Sequence, residues 1–578
     1  MTSSTAGAET HALPGAGAPQ RPRWAVIGLA VLAAVLAGMQ LGRPELVDPD
    51  EPRSALVARI MLDRGDWAAP HLPAIFRAKY KSYPVEGDLL AYWEKPPLYF
   101  WLAALAMKAL GPGALAARLP SALAQVAAVL LVYVAGRSLW NLRAGLYAAA
   151  AVAVAPLALI MAHVARMEMV LMALMTTMLV AVLRLLHDRP RSWAWTAVLY
   201  VSAGLGILAK GPVAVILPAG AVLFVFLARG GWGDLRRLRP LAGLAILLAI
   251  AAPWFVYMHF RYPPPVDGSH GGFTYAFFVV QHLMRATQEG FRHSRYLPGY
   301  LAGALLAGFV PWTVFLPGAC ARLLGPAWRE RRERPAVLLL LAWAAVVLAA
   351  FSASETQLAY YVLPAVPPLA VLVGVYLADR TEPGVRDRLF VTGLWITVVL
   401  GAASLVAVVV GLVYAGLWHG RFAVWIAATG AVMLGGIAVL FAGRRRAGVV
   451  CAVAGMAVFM TFMFAADPFD IYGSRTTYAE AHLAQESRRP GDKIFAFDHV
   501  PYSMAWYFWP EDVPSGRSQA LEREVDSPGR TFAVVEGADV ADALAVRPGA
   551  PGRILCRSPS HVLMVFDVPP PEERPAGP

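Results

Sequence analysis

The chain has 578 residues, 58% of them hydrophobic and 15% charged, with a mean hydropathy of +0.54. A water-soluble protein of that length needs far more polar residues to cover its core, so a multi-span helical membrane protein is the class that fits. The formal charge of +12 does not argue for nucleic acid, because the arginines are packed into short gaps between apolar runs, as in cytoplasmic loops.

Residues 1–22 are rich in Ala, Gly, Ser, Thr and Pro and read as a disordered cytoplasmic tail. The apolar segment that follows lacks a small-residue cleavage site and reads as a first span, not a removed signal peptide. Pro97–Gly111 is apolar but at the short edge of what crosses a bilayer. If it crosses, every later loop changes sides.

Charge decides the matter. With Pro97–Gly111 lying along the membrane surface, about 13 spans fall at 24–42, 115–136, 144–163, 168–186, 193–209, 211–228, 241–259, 297–318, 335–352, 359–378, 390–416, 422–441 and 447–465. The arginine clusters then all fall on one side, among them Arg137 and Arg143, Arg236 to Arg239, Arg329 to Arg334 and Arg444 to Arg446. Lys/Arg bias in short loops sets orientation, so this threading is preferred and that side is cytoplasmic.

The expected architecture is an all-α polytopic membrane region over residues 23–465, with outer loops at 43–114 and 260–296. A small extracytoplasmic α/β domain over 466–578 completes it. That tail alternates strand-like runs (Lys493–Phe497, Thr531–Glu536, Val562–Val568) with helix-like ones (Tyr478–Arg488, Val540–Ala545). Of Cys320, Cys451 and Cys556, only the last falls in it, so it holds no internal disulfide. No GxGxxG or Walker sequence occurs anywhere in the chain.

The same threading places the unusual polar groups on the outer face. They are Asp48-Pro49-Asp50-Glu51-Pro52-Arg53, the G-D-W-A-A-P run with Trp67, Tyr92-Trp93-Glu94-Lys95-Pro96-Pro97, Arg166-Met167-Glu168 and Lys210-Gly211-Pro212. Each has an ordinary reading. Acids favour helix starts, Lys210 can snorkel to headgroups, and Trp67, Trp93 and Trp101 suit interface anchors. His259, His270, His282 and His293 match no strong metal template. Ionisable residues at membrane depth are nevertheless costly and gather around aqueous cavities or one another. Their convergence on one side points to a single site.

Taken together, D-P-D-E-P-R (48–53), G-D-W-A-A-P-H-L (65–72), Y-W-E-K-P-P-L-Y-F-W (92–101), G-I-L-A-K-G-P-V-A (206–214) and S-E-T-Q-L-A-Y-Y-V-L-P (354–364) resemble a known family. It is that of the GT-C glycosyltransferases, in the aminoarabinose-transferase and protein-mannosyltransferase group (family 39/83-like). H-S-R-Y-L-P-G-Y (293–300), followed by Pro311-Trp312, is similar to the family's eighth-span region. The sequence departs from the group's pattern at an insertion-like stretch, Ala78–Leu90, at Glu168 where members often have Asp, and at Gln357 where the aminoarabinose branch often has Lys.

The resemblance implies a GT-C fold and a glycosyltransferase of the cell inner membrane. Its donor would be a polyprenyl-phosphate-linked sugar, used on the periplasmic side. The acceptor is open between lipid A, another envelope glycan and protein, and aminoarabinose is the sugar the likeness suggests. Phosphate is already a good leaving group, so one base that deprotonates the acceptor hydroxyl can suffice, worth about 10²–10⁴-fold. Asp50 is the expected base, with Glu51 and Glu168 as further catalytic candidates. Arg53, Lys95, Lys210 and Arg285 are the candidate phosphate-binding cations. Asp48, Glu94 and Tyr92 are candidates for positioning substrate. No cofactor is required, but Asp48, Asp50, Glu94 and His282 are the candidate ligands should a divalent ion bind. Membrane lipids are the remaining partner, and no nucleic acid is expected. The alternative function is a transporter or flippase for a lipid-linked substrate, which should hold its ionisable groups near mid-membrane.

Overall fold

The computed structural model describes residues 23–568 except 44–45, 48, 79–82, 188–191, 231, 265–271, 288–296, 332–334, 383, 386, 415–419, 467–477, 490–491, 498–500, 510–512, 517, 526–528, 537–538, 540–541, 544–551 and 558–560. The expected tail 1–22, Asp48, His270, His293 and most of the expected helix Val540–Ala545 thus lie outside the described residues.

The first half runs α1 (Arg23–Gly38), α2 (Asp50–Arg64), a small sheet (β1 His71–Pro73, β2 Val85–Glu86, β3 Leu89–Ala91) and α3 (Leu98–Leu110). It continues through α4 (Ala114–Leu139), α5 (Leu142–Ala153), α6 (Pro156–Ala162), α7 (Glu168–His187), α8 (Trp193–Lys210), α9 (Val213–Arg229) and α10 (Pro240–Arg261). Among the described residues nine helices are long and apolar enough to cross a membrane, or eleven if each of two bent pairs is one span. The protein is a multi-span membrane protein. Two further expected spans, α1 and α9, are apolar helices of 16 and 17 residues.

Two expected spans are not straight. The stretch 144–163 bends by 58° between α5 and α6. Pro156, the first residue of α6, has no N–H to give to the preceding turn. The stretch 297–318 breaks more sharply, with Tyr300–Gly308 and Trp312–Arg329 meeting at 105°. Pro311, between them, likewise cannot continue a hydrogen-bond ladder.

The bundle has a dense centre and a loose edge. The spans Ala359–Arg380 and Glu168–Leu186 are 89% and 78% buried within the protein, against 11% for Arg388–Tyr414. Small residues allow the close packing at the centre. A Cβ added to Gly374 would lie 2.5 Å from the Ala144 carbonyl oxygen, so α5 and the helix Val366–Arg380 meet backbone to backbone.

The site end of the bundle is built by the first loop. Asp50 and Glu51 open α2, where acids favour the exposed N–H groups of a first turn, and Gly65 closes it at φ 71°. Asp66 accepts from the backbone N–H groups of Ala68 and Ala69 at 3.1 Å, which turns the chain into β1. The stretch Ala78–Leu90, which reads as an insertion, carries β2 and begins β3, and the sheet order is β1-β3-β2. After Pro96 and Pro97 comes α3. At 13 residues it is about 20 Å long, short of a bilayer's hydrocarbon thickness.

The C-terminal segment forms a five-stranded sheet in the order β5-β4-β6-β8-β7. Its strands are β4 (Lys493–Phe497), β5 (Ser515–Gly516), β6 (Gly529–Glu536), β7 (Arg553–Arg557) and β8 (His561–Val568). Pairing is parallel between β4 and both β5 and β6, and antiparallel between β8 and both β6 and β7. A short aromatic helix, Tyr502–Phe508, leaves this sheet to pack along α2.

Candidate active site

Six chain segments meet around the head of α2. Asp50 is partly open, its carboxylate paired through Oδ1 with Arg53 one turn on and through Oδ2 with Arg166 Nη1 at 2.5 Å. Arg166 lies on the short link between α6 and α7. It also reaches Glu168 Oε2 at 3.2 Å and donates to the Tyr360 hydroxyl at 2.5 Å, with its guanidinium 4.2 Å from that ring's centre. Glu168 is 4% exposed and pairs with Lys210 Nζ at 3.0 Å. Lys210 in turn lies 4.8 Å from the Tyr361 ring centre. The result is a continuous chain of charge from Arg53 through Asp50, Arg166 and Glu168 to Lys210.

Lys210 is aimed by its neighbours. Gly211 ends α8 at φ +88°, and a Cβ there would meet the His282 ring at 2.5 Å. Only glycine gives this conformation without strain and leaves room for the ring. The His282 nitrogens face the carbonyl oxygens of Phe277 at 2.7 Å and Lys210 at 3.4 Å.

The second arm is the loop after β3. Tyr92 donates its hydroxyl to Glu94 Oε2 at 3.1 Å, and Arg53 Nη1 lies 3.9 Å from the same oxygen. Burial works to raise the Glu94 carboxyl, but Arg53, Lys95 and Arg285 together hold it below its ordinary range. Burial drives the Lys95 ammonium the other way. Opposed by Glu94 and helped by Arg285, Lys210 and Arg53, it is pushed down to about 8. Arg285 donates through Nη1 to Gln281 at 3.2 Å, while its buried Nε meets no acceptor among the described residues.

Among the described residues named here, Arg53, Lys95, Arg166, Lys210 and Arg285 gather with Asp50, Glu94 and Glu168, five cations to three carboxylates, a formal surplus of two positive charges. Unbalanced cations at a membrane rim are costly unless an anion joins them. The arrangement therefore suits a bound phosphate with a carboxylate beside it.

The remaining candidates fall differently. Glu51 is 2% exposed and faces away from Asp50. It accepts two bonds of 2.8 Å from the buried Arg118, one of 3.0 Å from Val47 N and one of 2.6 Å from Ala165 N. Those contacts make it a tie between α2, α4 and the link carrying Arg166. Trp93 is buried at 5%, and the Trp101 indole donates to the Trp67 carbonyl at 2.6 Å. These contacts hold the loop together. Gln357 donates to the carbonyls of Ser352 and Ser354 at the end of a helix. No group of three His, Cys, Asp or Glu side chains that could hold a metal ion occurs among the described residues.

The sequence set Arg166 apart beside Glu168 but gave neither it nor Tyr360 a part in the reaction, although Arg166 joins Asp50 to Glu168 and to the Tyr360 hydroxyl. The signal for Arg166 was its place two residues before Glu168 at the end of a span. For Tyr360 it was the Y-Y pair within S-E-T-Q-L-A-Y-Y.

A bundle of this form, with its charged cluster held by a long first loop at one end, defines a GT-C-type membrane protein. A family model described as dolichyl-phosphate-mannose-protein mannosyltransferase matches residues 94–257, which open on Glu94 and take in Arg166, Glu168 and Lys210. The undecaprenyl phosphate-alpha-4-amino-4-deoxy-L-arabinose arabinosyl transferase of Pectobacterium carotovorum subsp. carotovorum (strain PC1) is 31% identical over 382 residues, 65% of this chain and 63% of that one. The protein of the same name from Pseudomonas aeruginosa (strain LESB58) is 33% identical over 344 residues, 58% of this chain and 56% of that one. The crystal structure of ArnT from Cupriavidus metallidurans bound to undecaprenyl phosphate superimposes with a TM-score of 0.74 at 25% identity, over 94% of this chain and 98% of that one. The chain thus spans somewhat less than two thirds of the length of the curated relatives it matches. Its fold is that of the GT-C glycosyltransferases, and its sequence is similar to the aminoarabinose-transferase group. The relatives named here are transferases, which leaves the transporter alternative without support.

Proposed function

We propose that the protein is a membrane glycosyltransferase that moves a sugar from a polyprenyl-phosphate carrier to a hydroxyl of an envelope acceptor. The relatives' names point to 4-amino-4-deoxy-L-arabinose as the sugar and undecaprenyl phosphate as the carrier. Lipid A is the acceptor that reading favours, and the inner membrane, with the site on its periplasmic side, is where the reaction belongs. The observation that carries the proposal is the surplus of cations around a partly open Asp50.

In the reaction, Asp50 takes the proton of the acceptor hydroxyl as its oxygen bonds to the anomeric carbon. The bond from that carbon to the phosphate oxygen breaks, and its electron pair leaves on the carrier phosphate. Lys95, Arg53, Lys210 and Arg285 receive that charge. Fixed cations in a water-poor site need no reorganisation as charge develops, which is where electrostatic catalysis is strongest. Arg166 fixes the direction of the Asp50 carboxylate, and Glu168 holds Arg166 and Lys210 in place. Because two arginines share Asp50, donor binding must draw one of them toward phosphate before Asp50 can accept a proton.

The test is transfer of radiolabelled sugar from the polyprenyl-phosphate donor to lipid A by the purified protein. The wild type should transfer, and Asp50→Asn should retain about 1% or less. Full transfer by Asp50→Asn removes Asp50 as the base, and no transfer by the wild type from any lipid-linked donor overturns the function. For the side of the membrane, an Asp50→Cys variant should react with an impermeant thiol reagent added outside intact cells. Labelling only after the inner membrane is opened would reverse the orientation.

A further inference from the structure

The aromatic helix Tyr502–Phe508 reaches the site from the far end of the chain. It lies along α2 and is fastened at several points. Arg59 donates to the carbonyl oxygens of Trp506 at 3.1 Å and Trp509 at 3.3 Å, acceptors at the end of that helix that the helix itself cannot pair. The same guanidinium lies 5.2 Å from the Trp506 ring centre, and the Trp509 indole donates to Asp63 at 2.9 Å. These contacts fix the helix at the end remote from Asp50.

At its other end stands Tyr502, 4% exposed. Its ring is stacked on Phe76 with 4.4 Å between centroids, and the Arg53 guanidinium lies 5.6 Å from its centre. The Tyr92 ring lies 5.9 Å from the same guanidinium. Arg53 is therefore held by two carboxylates, Asp50 and Glu94, and by two aromatic rings. One of those rings comes from the helix that follows β4 of the C-terminal sheet. A cation near an aromatic face is attracted by the ring's quadrupole, more so where water is excluded.

We infer that Tyr502 is a positioning residue for Arg53, so that the C-terminal sheet completes the donor-phosphate site and does not merely cap the membrane bundle. The inference rests on the transferase reading of the same site. Phe76 fixes the plane of the Tyr502 ring, and that ring with Tyr92 restricts where the guanidinium can go when its partners exchange. Arg53 must leave Asp50 for phosphate without drifting to Glu94 alone. A second ring favours the middle position from which it serves both. The ring face, not the hydroxyl, does this work.

The test compares variants in the radiolabelled transfer assay, with donor and acceptor varied separately. Tyr502→Leu keeps an apolar side chain but loses the ring. It should raise the donor KM roughly 3- to 30-fold, the span that a partly desolvated cation–ring contact supports, and leave the acceptor KM unchanged. Tyr502→Phe should recover most of that loss. Trp509→Phe loosens the same helix at its far end without touching Arg53, and it should alter donor KM less than twofold. In an Arg53→Lys background, Tyr502→Leu should add little further loss, because the planar cation it positions is gone.

A merely structural role gives another pattern. Less active protein lowers the apparent kcat alone, with both KM values unchanged and equal losses whether or not Arg53→Lys is also present; that result overturns the inference. An unaltered donor KM in Tyr502→Leu with normal wild-type transfer does so as well, and it leaves the transferase reading standing. Only failure of the wild type to transfer touches that reading.

Discussion

Asp50 and Glu51 are adjacent acids on the first turn of one helix, yet they belong to different parts of the molecule. Asp50 looks into the site, partly exposed, with Arg53 and Arg166 beside it and more cations than acids around it. Glu51 looks into the bundle, where four donors use both of its oxygens. A successive residue on a helix points about 100° away, so α2 separates a partly open carboxylate from a buried, fully bonded one within a single peptide unit. Position in a motif therefore says little about role. The decisive quantities are burial and the balance of charge. Glu51 with Arg118 is closed and neutral, while the cluster around Asp50 is open and positive.

The largest effect that can break this contrast is on transfer. Asp50→Asn should lower kcat by about 10²-fold or more while leaving the folded yield unchanged. Glu51→Gln should behave in the opposite way. It leaves Arg118 as an uncompensated buried charge, which costs about 3–5 kcal/mol. The check is thermal unfolding of the detergent-solubilised protein, alongside transfer scaled to the folded fraction. If Glu51→Gln folds as well as the wild type but does not transfer, the assignment of the two acids is wrong.

Next in size is Lys95. Removing one fixed cation from the leaving phosphate should cost about 10²–10³-fold in Lys95→Ala, with donor turnover as the measurement. Its ionisation sharpens the point. Below about pH 8 the Lys95 ammonium is charged, and above it the charge is lost, so donor affinity should fall as pH rises through about 8. Stability should move the other way. Between about pH 8 and 10.5 the unfolded chain still holds the proton that folded Lys95 has released, so this group contributes rising stability with pH. Lys95→Arg should carry its charge through that range and remove the affinity loss. A pH profile unchanged by Lys95→Arg would separate Lys95 from the phosphate.

The smallest effect belongs to the opposite end of the bundle. Glu382 pairs with Arg143 and Arg446, all three more than a third exposed. Exposed pairs of this kind contribute about 0–1 kcal/mol. Glu382→Gln should shift unfolding by no more than that and leave transfer within twofold of wild type. A large loss of activity would mean that the two ends of the bundle are coupled.

Much of this was legible in the sequence, and the exceptions have a common cause. Apolar runs marked most spans because a bilayer demands about 20 apolar residues at a crossing. Hydropathy does not register backbone geometry, so the bends before Pro156 and at Pro311 were invisible to it. In the site, Asp50, Arg53, Glu94, Lys95, Glu168 and Lys210 were singled out because charge at a membrane rim is unusual. Their connections were not. Arg166 joins Asp50 to Glu168 and Tyr360, and Tyr502 arrives from more than four hundred residues away. Such contacts are products of folding and leave no periodic trace. The same holds for Glu51, whose partner Arg118 reads in sequence as one more arginine in an apolar helix.

The proposed reaction requires that this cationic surplus hold a carrier phosphate beside Asp50. A cryo-EM or crystal structure with a non-transferable polyprenyl-phosphate sugar tests it directly. The phosphate should lie within hydrogen-bond reach of Lys95 and at least one of Arg53, Lys210 and Arg285, with the anomeric carbon facing the Asp50 carboxylate. A phosphate bound elsewhere, with Asp50 still locked between Arg53 and Arg166, would contradict it.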